Sequence, residues 1–266
     1  MLQAAGSIFL LQITDLHLLP DASQRLLGVD TAASLEAVLT SALAERVPAA
    51  LIVTGDIAHT ATAATYTRAK TLLARQYRGP MLWLSGNHDY GALLAAAASA
   101  DDELLLGDWS ILAIDTHGDD VEAGWLAPAE IARLRARLAN NRARHVIVFG
   151  HHPPLPLGTP WLDKSCIGNG EELLALLGAD PRVKAYVCGH VHHASTANHF
   201  GVAVFTTPST CFQFVAGTER FTVDATPPGW RWLELGADGT LRSEVGRATD
   251  FVVTLDLSTF KKRQPS

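Results

Sequence analysis

Five short segments concentrate the side chains able to do chemistry. They are Asp15 and His17 in TDLH, Asp56 in TGDI, Asn87, His88 and Asp89 in GNHD, His151 and His152 in GHHPP, and His190, His192 and His193 in CGHVHH. Carboxylates, an amide and four or five imidazoles without a thiolate make a mixed oxygen and nitrogen environment. Such a set suits Zn, Fe or Mn better than Ca or Mg, which favour oxygen, or Cu(I), which favours sulfur. The donors are too many for one tetrahedral ion. They divide into two sets sharing a bridging carboxylate, as in phosphoryl-transfer sites whose ions lie ~3.5–4 Å apart. The types and spacing leave the partition open. Asp and Asn are also common turn residues, and any one segment alone would be read that way. Five in one chain make that reading remote.

Each segment follows a short apolar run. Ile8–Thr14, Leu51–Thr54, Met81–Ser85, His145–Phe149 and Val183–Cys188 are of strand length, and Ile111–Asp115 is a further strand. Asp30 to Glu45 and Thr65 to Tyr77 carry helical spacing, the first capped by Asp30 or Thr31. Helices are also expected over Tyr90–Ala100, from Pro128 through Leu138, and near Glu171–Leu177. In open α/β sheets ligands bind beyond the carboxyl ends of strands, so topology alone can gather remote segments. The glycines between strand and segment suggest sharp turns with positive φ. From Val202 the rhythm changes to strands without helices: Val202–Thr206, Cys211–Phe214, Phe221–Val223, Trp230–Leu235, Leu241–Val245 and Phe251–Leu255. One α/β domain over residues 1–260 is expected, with a frayed tail at 261–266.

Composition narrows the function classes. The 266 residues carry 21 Lys plus Arg against 27 Asp plus Glu, a formal net charge of -6. An acidic chain without a basic run lacks the footprint of a nucleic-acid binder, so no nucleic-acid polymer is expected as partner. No apolar run approaches the length that spans a membrane. Three cysteines without a CxxC argue against a disulfide framework or zinc ribbon. The start of the chain shows no basic targeting signal, and a cytoplasmic location is expected.

The order DxH…GD…GNHD…GHH…GHxH resembles the calcineurin-like metallophosphoesterase superfamily. QITDLHLL, LLGVDTAASLEAVL, HHPP with GTPWLDKSCIGN, CGHVHH, TPSTCFQF and PPGWR extend the resemblance toward bacterial class III 3′,5′-cyclic-AMP phosphodiesterases, from Gln12 to about Arg231. It implies a four-layer αββα sandwich of two mixed β-sheets flanked by helices, with the strand-rich end building the second sheet. One metal would take Asp15, His17, Asp56 and His192, the other Asp56, Asn87, His151 and His190, with Asp56 as bridge. Asn87, His88 and His192 would meet the substrate, His88 as donor or general acid at the leaving oxygen, held in place by Asp89. The resemblance further implies Fe/Mn or Mn/Mn, with Zn an alternative, a small-molecule cyclic nucleotide substrate, and a family that often dimerises.

The expected reaction is hydrolysis of 3′,5′-cyclic AMP to 5′-AMP by attack of metal-bound hydroxide. The alternatives are another phosphoester hydrolase, acting on 2′,3′-cyclic nucleotides, glycerophosphodiesters or nucleotide monoesters, and a non-catalytic scaffold. GDIAHTA and GNHD depart from protein phosphatases, which read GDxxDRG and GNHE. His59 stands where purple acid phosphatases carry a ligand tyrosine, and is read as a solvated or supporting histidine. His152 and His193 are read as neighbours of the ligands. Trp161, Asp163 and Asn169 lie where the resemblance places the substrate loop. Thr210, Cys211 and Phe214 line either a base pocket or the second sheet.

Overall fold

Ile8–Ile13 forms β1, and its side chains alternate between two apolar layers. Leu11 and Ile13 join a core shared with helices, while Leu10 faces the core between two sheets. A strand covered on both faces reads as a continuous apolar run, which is why it was legible. The computed structural model describes residues 6–98, 101–118 and 121–258. The expected tail at 261–266 lies outside them.

The order after β1 is α1 Thr31–Glu45, β2 Ala50–Thr54, α2 Ala63–Gln76, β3 Met81–Leu84, α3 Gly91–Ala97, β4 Glu103–Leu106 and β5 Trp109–Ala113. Then follow α4 Pro128–Asn140, β6 His145–Phe149, α5 Gly170–Gly178, β7 Val183–Cys188, β8 Ser195–His199 and β9 Val202–Thr206. The chain closes with β10 Gln213–Phe214, β11 Val223–Asp224, β12 Gly229–Leu235 and β13 Leu241–Arg247. Local chemistry sets the helix starts: the Asp30 carboxylate accepts from Ala33 N at 3.0 Å, Thr62 Oγ1 accepts from Thr65 N at 3.1 Å, and Pro128 occupies the first turn of α4.

Two mixed sheets form, in the orders β13-β12-β1-β2-β3 and β4-β5-β6-β7-β9-β8, with β10-β11 as a separate ribbon. Leu10, Ile52, Leu82, Ile111, Ile147, Val187 and Leu233 fill the space between the sheets. Leu35, Val38 and Leu39 of α1 and Tyr66, Ala69 and Leu73 of α2 cover the first sheet. Leu134 and Leu138 of α4 and Leu173, Leu174 and Leu177 of α5 cover the second. The architecture is the expected αββα sandwich. Among the described residues no helix is long and apolar enough to cross a membrane.

Two expectations need correction, and two strands were not anticipated. Of the strand-rich end only β9 enters the second sheet. β12 and β13 join the first, β12 pairing antiparallel with β1 from Ile8↔Leu235 to Gln12↔Arg231, so the second sheet draws chiefly on the middle of the chain. Phe251–Leu255 is not a strand; Phe251, Val253 and Leu255 pack into a satellite cluster with Leu27, Val29, Cys211 and Phe212. The edge strands β4 and β8 carried no recognisable pattern, because an edge strand such as STANH buries too little to show one.

Candidate metal centre

β1, β2 and β3 run parallel in the first sheet, and β6 and β7 run parallel in the second. The loops leaving these five strands carry the five chemical segments, and backbone bonds fasten them together. Asp15 N donates to Gly55 O at 3.0 Å, His17 N to Asp56 O at 2.9 Å and Gly189 N to His151 O at 3.0 Å. His190 N donates to Asp15 Oδ2 at 3.0 Å, joining the two sheets through a side chain.

The turns differ from the expectation in who bears the unusual backbone. Asp15, His17, Asp56, His190 and His192 themselves hold positive φ, between 44° and 68°. Such conformations are uncommon for residues with a Cβ and concentrate at functional sites. Of the neighbouring glycines Gly55 shares that region, at 89°. Gly189 is needed for space, since a Cβ there would sit 1.9 Å from Thr14 Oγ1 and 2.7 Å from Asp15 Oδ2.

The donor atoms fall into two groups. In one, His17 Nε2 lies 3.2 Å from His192 Nε2, His192 Nε2 lies 3.4 Å from Asp15 Oδ1, and His17 Nε2 lies 3.6 Å from Asp56 Oδ2. In the other, Asn87 Oδ1 lies 3.2 Å from His151 Nε2 and 3.0 Å from His190 Nδ1, and His151 Nε2 lies 3.4 Å from Asp56 Oδ1. The two oxygens of Asp56 thus face different groups.

The far sides of the rings fix which nitrogen looks inward. His151 Nδ1 donates to Thr54 O at 2.8 Å and His192 Nδ1 to Phe212 O at 2.9 Å. His190 Nε2 donates to Ser165 Oγ at 2.7 Å, whose hydroxyl in turn donates to Leu162 O at 2.8 Å. A histidine that gives one N–H to the protein presents the other nitrogen as a lone pair, the usual arrangement of a metal-binding imidazole. Among the inward oxygens Asp15 Oδ1 is buried without a hydrogen-bond partner. Orphaned oxygen and converging lone pairs fit two cations. His152 is excluded, because its Nδ1 meets Thr116 Oγ1 at 2.9 Å and its Nε2 meets Glu122 O at 3.2 Å.

The charges follow from burial. Burial works to raise the Asp56 carboxyl, but His151, His88 and His17 outweigh it and hold it well below the usual carboxylate range. Burial works to lower His151, but the Asp56 carboxylate prevails and raises it to about 9. Burial and the His151 charge push His190 down to about 3, and burial lowers His17. In the metal-free chain His151 is therefore protonated at neutral pH, and a metal ion at Nε2 must displace that proton. Metal uptake at pH 7 is expected to release about one proton per chain from this group, and apparent affinity to rise between pH 7 and about 9. Titration calorimetry in two buffers of different ionisation enthalpy reads the proton directly; zero release would show that His151 is not displaced.

His88 is exposed at the rim. Its main-chain N donates to Asp56 Oδ1 at 2.9 Å, and its Nδ1 lies 3.3 Å from His59 O. The His59 and His88 rings stack at 5.1 Å. The expectation that Asp89 holds His88 is corrected here. The Asp89 carboxylate accepts instead from Ile57 N, Ala58 N, Gly86 N and the Tyr66 hydroxyl, at 2.9–3.1 Å. It ties the turn after β2 to the turn after β3. Burial and the Asp56 charge push its carboxyl up to about 6, against those backbone donors. Ser165 and Tyr66 escaped the sequence reading; Ser165 lies within the already noted LDKSCIGN stretch, and Tyr66 looked like one more apolar helix position.

A profile of the calcineurin-like phosphoesterase family matches residues 10–194, which span all five segments. The chain belongs to this family. A calcineurin-like phosphoesterase is a hydrolase with a dinuclear metal site, and this chain carries clusters of His and Asp able to hold metal ions. The chain is 39% identical to the 3′,5′-cyclic adenosine monophosphate phosphodiesterase CpdA of Escherichia coli (strain K12), over 94% of this chain and 93% of that protein. It is 33% identical to the CpdA of Pseudomonas aeruginosa, over 96% and 95%. A dimetal phosphatase from Danio rerio shares the fold at a TM-score of 0.60 and 14% identity, covering 91% of this chain and 99% of that one.

Beneath this phosphoesterase site runs a buried polar relay. Arg231, 3% exposed, donates through Nε to Thr207 Oγ1 at 3.1 Å, through Nη2 to Thr206 O at 2.6 Å, and through Nη1 to Ser243 Oγ. Thr207 Oγ1 donates to Gln12 Oε1 at 2.5 Å, and Gln12 Nε2 donates to Thr54 Oγ1 at 2.9 Å and Cys188 O at 3.2 Å. Thr54 and Cys188 each stand two residues before a site residue. Burial lowers the guanidinium to about 10, so it stays charged at neutral pH. Arg231→Met keeps the length but strands these acceptors, and should cost about 2–4 kcal/mol of stability, read as a lower urea midpoint. An unshifted midpoint would show that the relay contributes nothing.

Proposed function

We propose that the protein is a dimetal phosphodiesterase that hydrolyses 3′,5′-cyclic AMP to 5′-AMP. The observation that carries this reading is the division of donors across the two oxygens of Asp56, with His88 exposed beside them. One ion is assigned to Asp15, His17, Asp56 and His192, the other to Asp56, Asn87, His151 and His190. Fe/Mn or Mn/Mn suits this thiolate-free set, and Zn is the alternative. When bound, two such ions lower the pKa of water and offset charge on the phosphoryl oxygens.

The side chains supply the remainder. Asp56 spans both groups, so its carboxylate fixes their spacing. His88, its Nδ1–H given to His59 O, presents Nε2 to the substrate. As a proton donor that atom bonds the phosphoryl group and then protonates the departing 3′ oxygen, the work of a general acid. Asn87 and His192 border the same space and help seat the phosphate. Cyclic AMP as substrate is supported by relatives named for that activity over nearly the full length of both chains.

Product analysis tests it. Cyclic AMP incubated with Mn²⁺-loaded protein should yield 5′-AMP, and none in EDTA. 3′-AMP as product, or turnover of phosphomonoesters alone, would overturn the reading.

A further inference from the structure

Beside the donor groups lies a cleft of about 810 Å³, within the size range of small-molecule sites. His17, His59 and His88 line it, and so do Phe212, Phe214 and Phe221. The mechanism uses the imidazoles and leaves the phenylalanines without a task. Among the described residues no carboxylate lines the cleft, while Arg25 does. No carboxylate of the described lining would repel an anionic ligand.

The aromatic wall is held in place from several sides. Phe214 stacks on His192 at 4.1 Å with the planes 17° apart. Trp161 meets Phe214 at 4.9 Å and Phe221 at 5.3 Å, and its Nε1 donates to Thr218 Oγ1 at 3.2 Å. Leu27, Val29, Cys211 and Val253 pack with these phenylalanines in one apolar cluster. Phe214 and Phe221 nonetheless remain half-buried. Of the polar side chains, Arg25 is committed to Asp30 at 3.0 Å and to the carbonyls of Ala22 and Gln24. The exposed Gln24 carboxamide makes no hydrogen bond among the described residues.

We propose that this cleft is the base subsite: Phe214 and Phe221 cover the face of a purine while the phosphate sits on the metal centre, and the Gln24 carboxamide selects adenine. This rests on the cyclic-nucleotide reading of the same site. Aromatic side chains bind any base by its π-face, whereas a carboxamide offers one donor and one acceptor, matching adenine N7 and N6–H₂ but not the paired acceptors of guanine.

The test compares cyclic AMP, cyclic GMP and the 3′,5′-cyclic phosphate of 1-deoxyribose, the same ring without a base, on metal-loaded enzyme. Wild type should prefer cyclic AMP to the base-free diester. Phe221→Ala and Phe214→Ala should each reduce that kcat/KM ratio by roughly 5- to 150-fold, carried by KM. Phe221→Ala is the safer variant, since Phe214 touches His192. Gln24→Leu should reduce the ratio of cyclic AMP to cyclic GMP by about tenfold. A wild-type enzyme indifferent to the base, or Phe221→Ala and Phe214→Ala that both keep the wild-type ratio, would overturn the base subsite and leave phosphodiester hydrolysis standing. An unchanged ratio in Gln24→Leu would overturn its role. Failure of wild type on cyclic AMP, with the base-free diester still hydrolysed, would overturn the substrate reading and the base subsite together.

Discussion

Asp56→Ala is expected to lose metal and activity together. The two carboxylate oxygens face different donor groups, 3.6 Å from His17 Nε2 and 3.4 Å from His151 Nε2. Asp15 lies within 4.8 Å of donors of both groups, but the ion pairs that reach into both run from the two oxygens of Asp56. Removing Asp56 also takes away the charge that raises His151 to about 9, but a neutral imidazole there cannot replace the lost bridge between the two groups. kcat/KM should fall by roughly 10³-fold or more, the rate equivalent of the several kcal/mol that metal ions supply. Elemental analysis of the purified variant supplies the decisive number. Two ions per chain retained in Asp56→Ala would mean that the bridge is assigned to the wrong residue.

His88→Ala should behave in the opposite way with respect to metal. The contact of residue 88 with Asp56 is through the main-chain N at 2.9 Å, which alanine keeps, and the ring lies outside both donor groups. Both ions should stay bound while kcat falls by about 10²–10⁴, the usual worth of a positioned general acid. The loss should depend on the leaving group. A p-nitrophenolate departs without a proton, so bis-p-nitrophenyl phosphate should lose much less than cyclic AMP. Equal losses on the two substrates would assign His88 to phosphate binding rather than proton transfer.

The five segments were legible because each carries its chemistry in adjacent residues after a buried strand, and parallel strands deliver their ends to one place. What the residue types left open was the backbone. Five site residues adopt positive φ themselves, and no feature of Asp15 or His192 as amino acids announces that. Gly189 was expected to relieve a turn and instead makes room for Thr14 and Asp15. The role of Asp89 could not be read either, because its partners are backbone N–H groups of another loop. Pairing between β1 and β12 joins the two ends of the chain, and a local pattern holds no record of so distant a partner. The same distance hid the relay from Arg231 to Gln12. Phe251–Leu255 shows the converse error: apolar spacing was real, but it serves packing on the wall of the cleft rather than a ladder.

The central claim is that two ions sit on either side of the Asp56 carboxylate. Anomalous diffraction from crystals grown with Mn²⁺ tests it most directly. The account predicts two peaks about 3.5–4 Å apart, one within bonding distance of Asp15, His17 and His192, the other of Asn87, His151 and His190, with Asp56 touching both. A single peak, or a second peak placed away from Asp56, would contradict it.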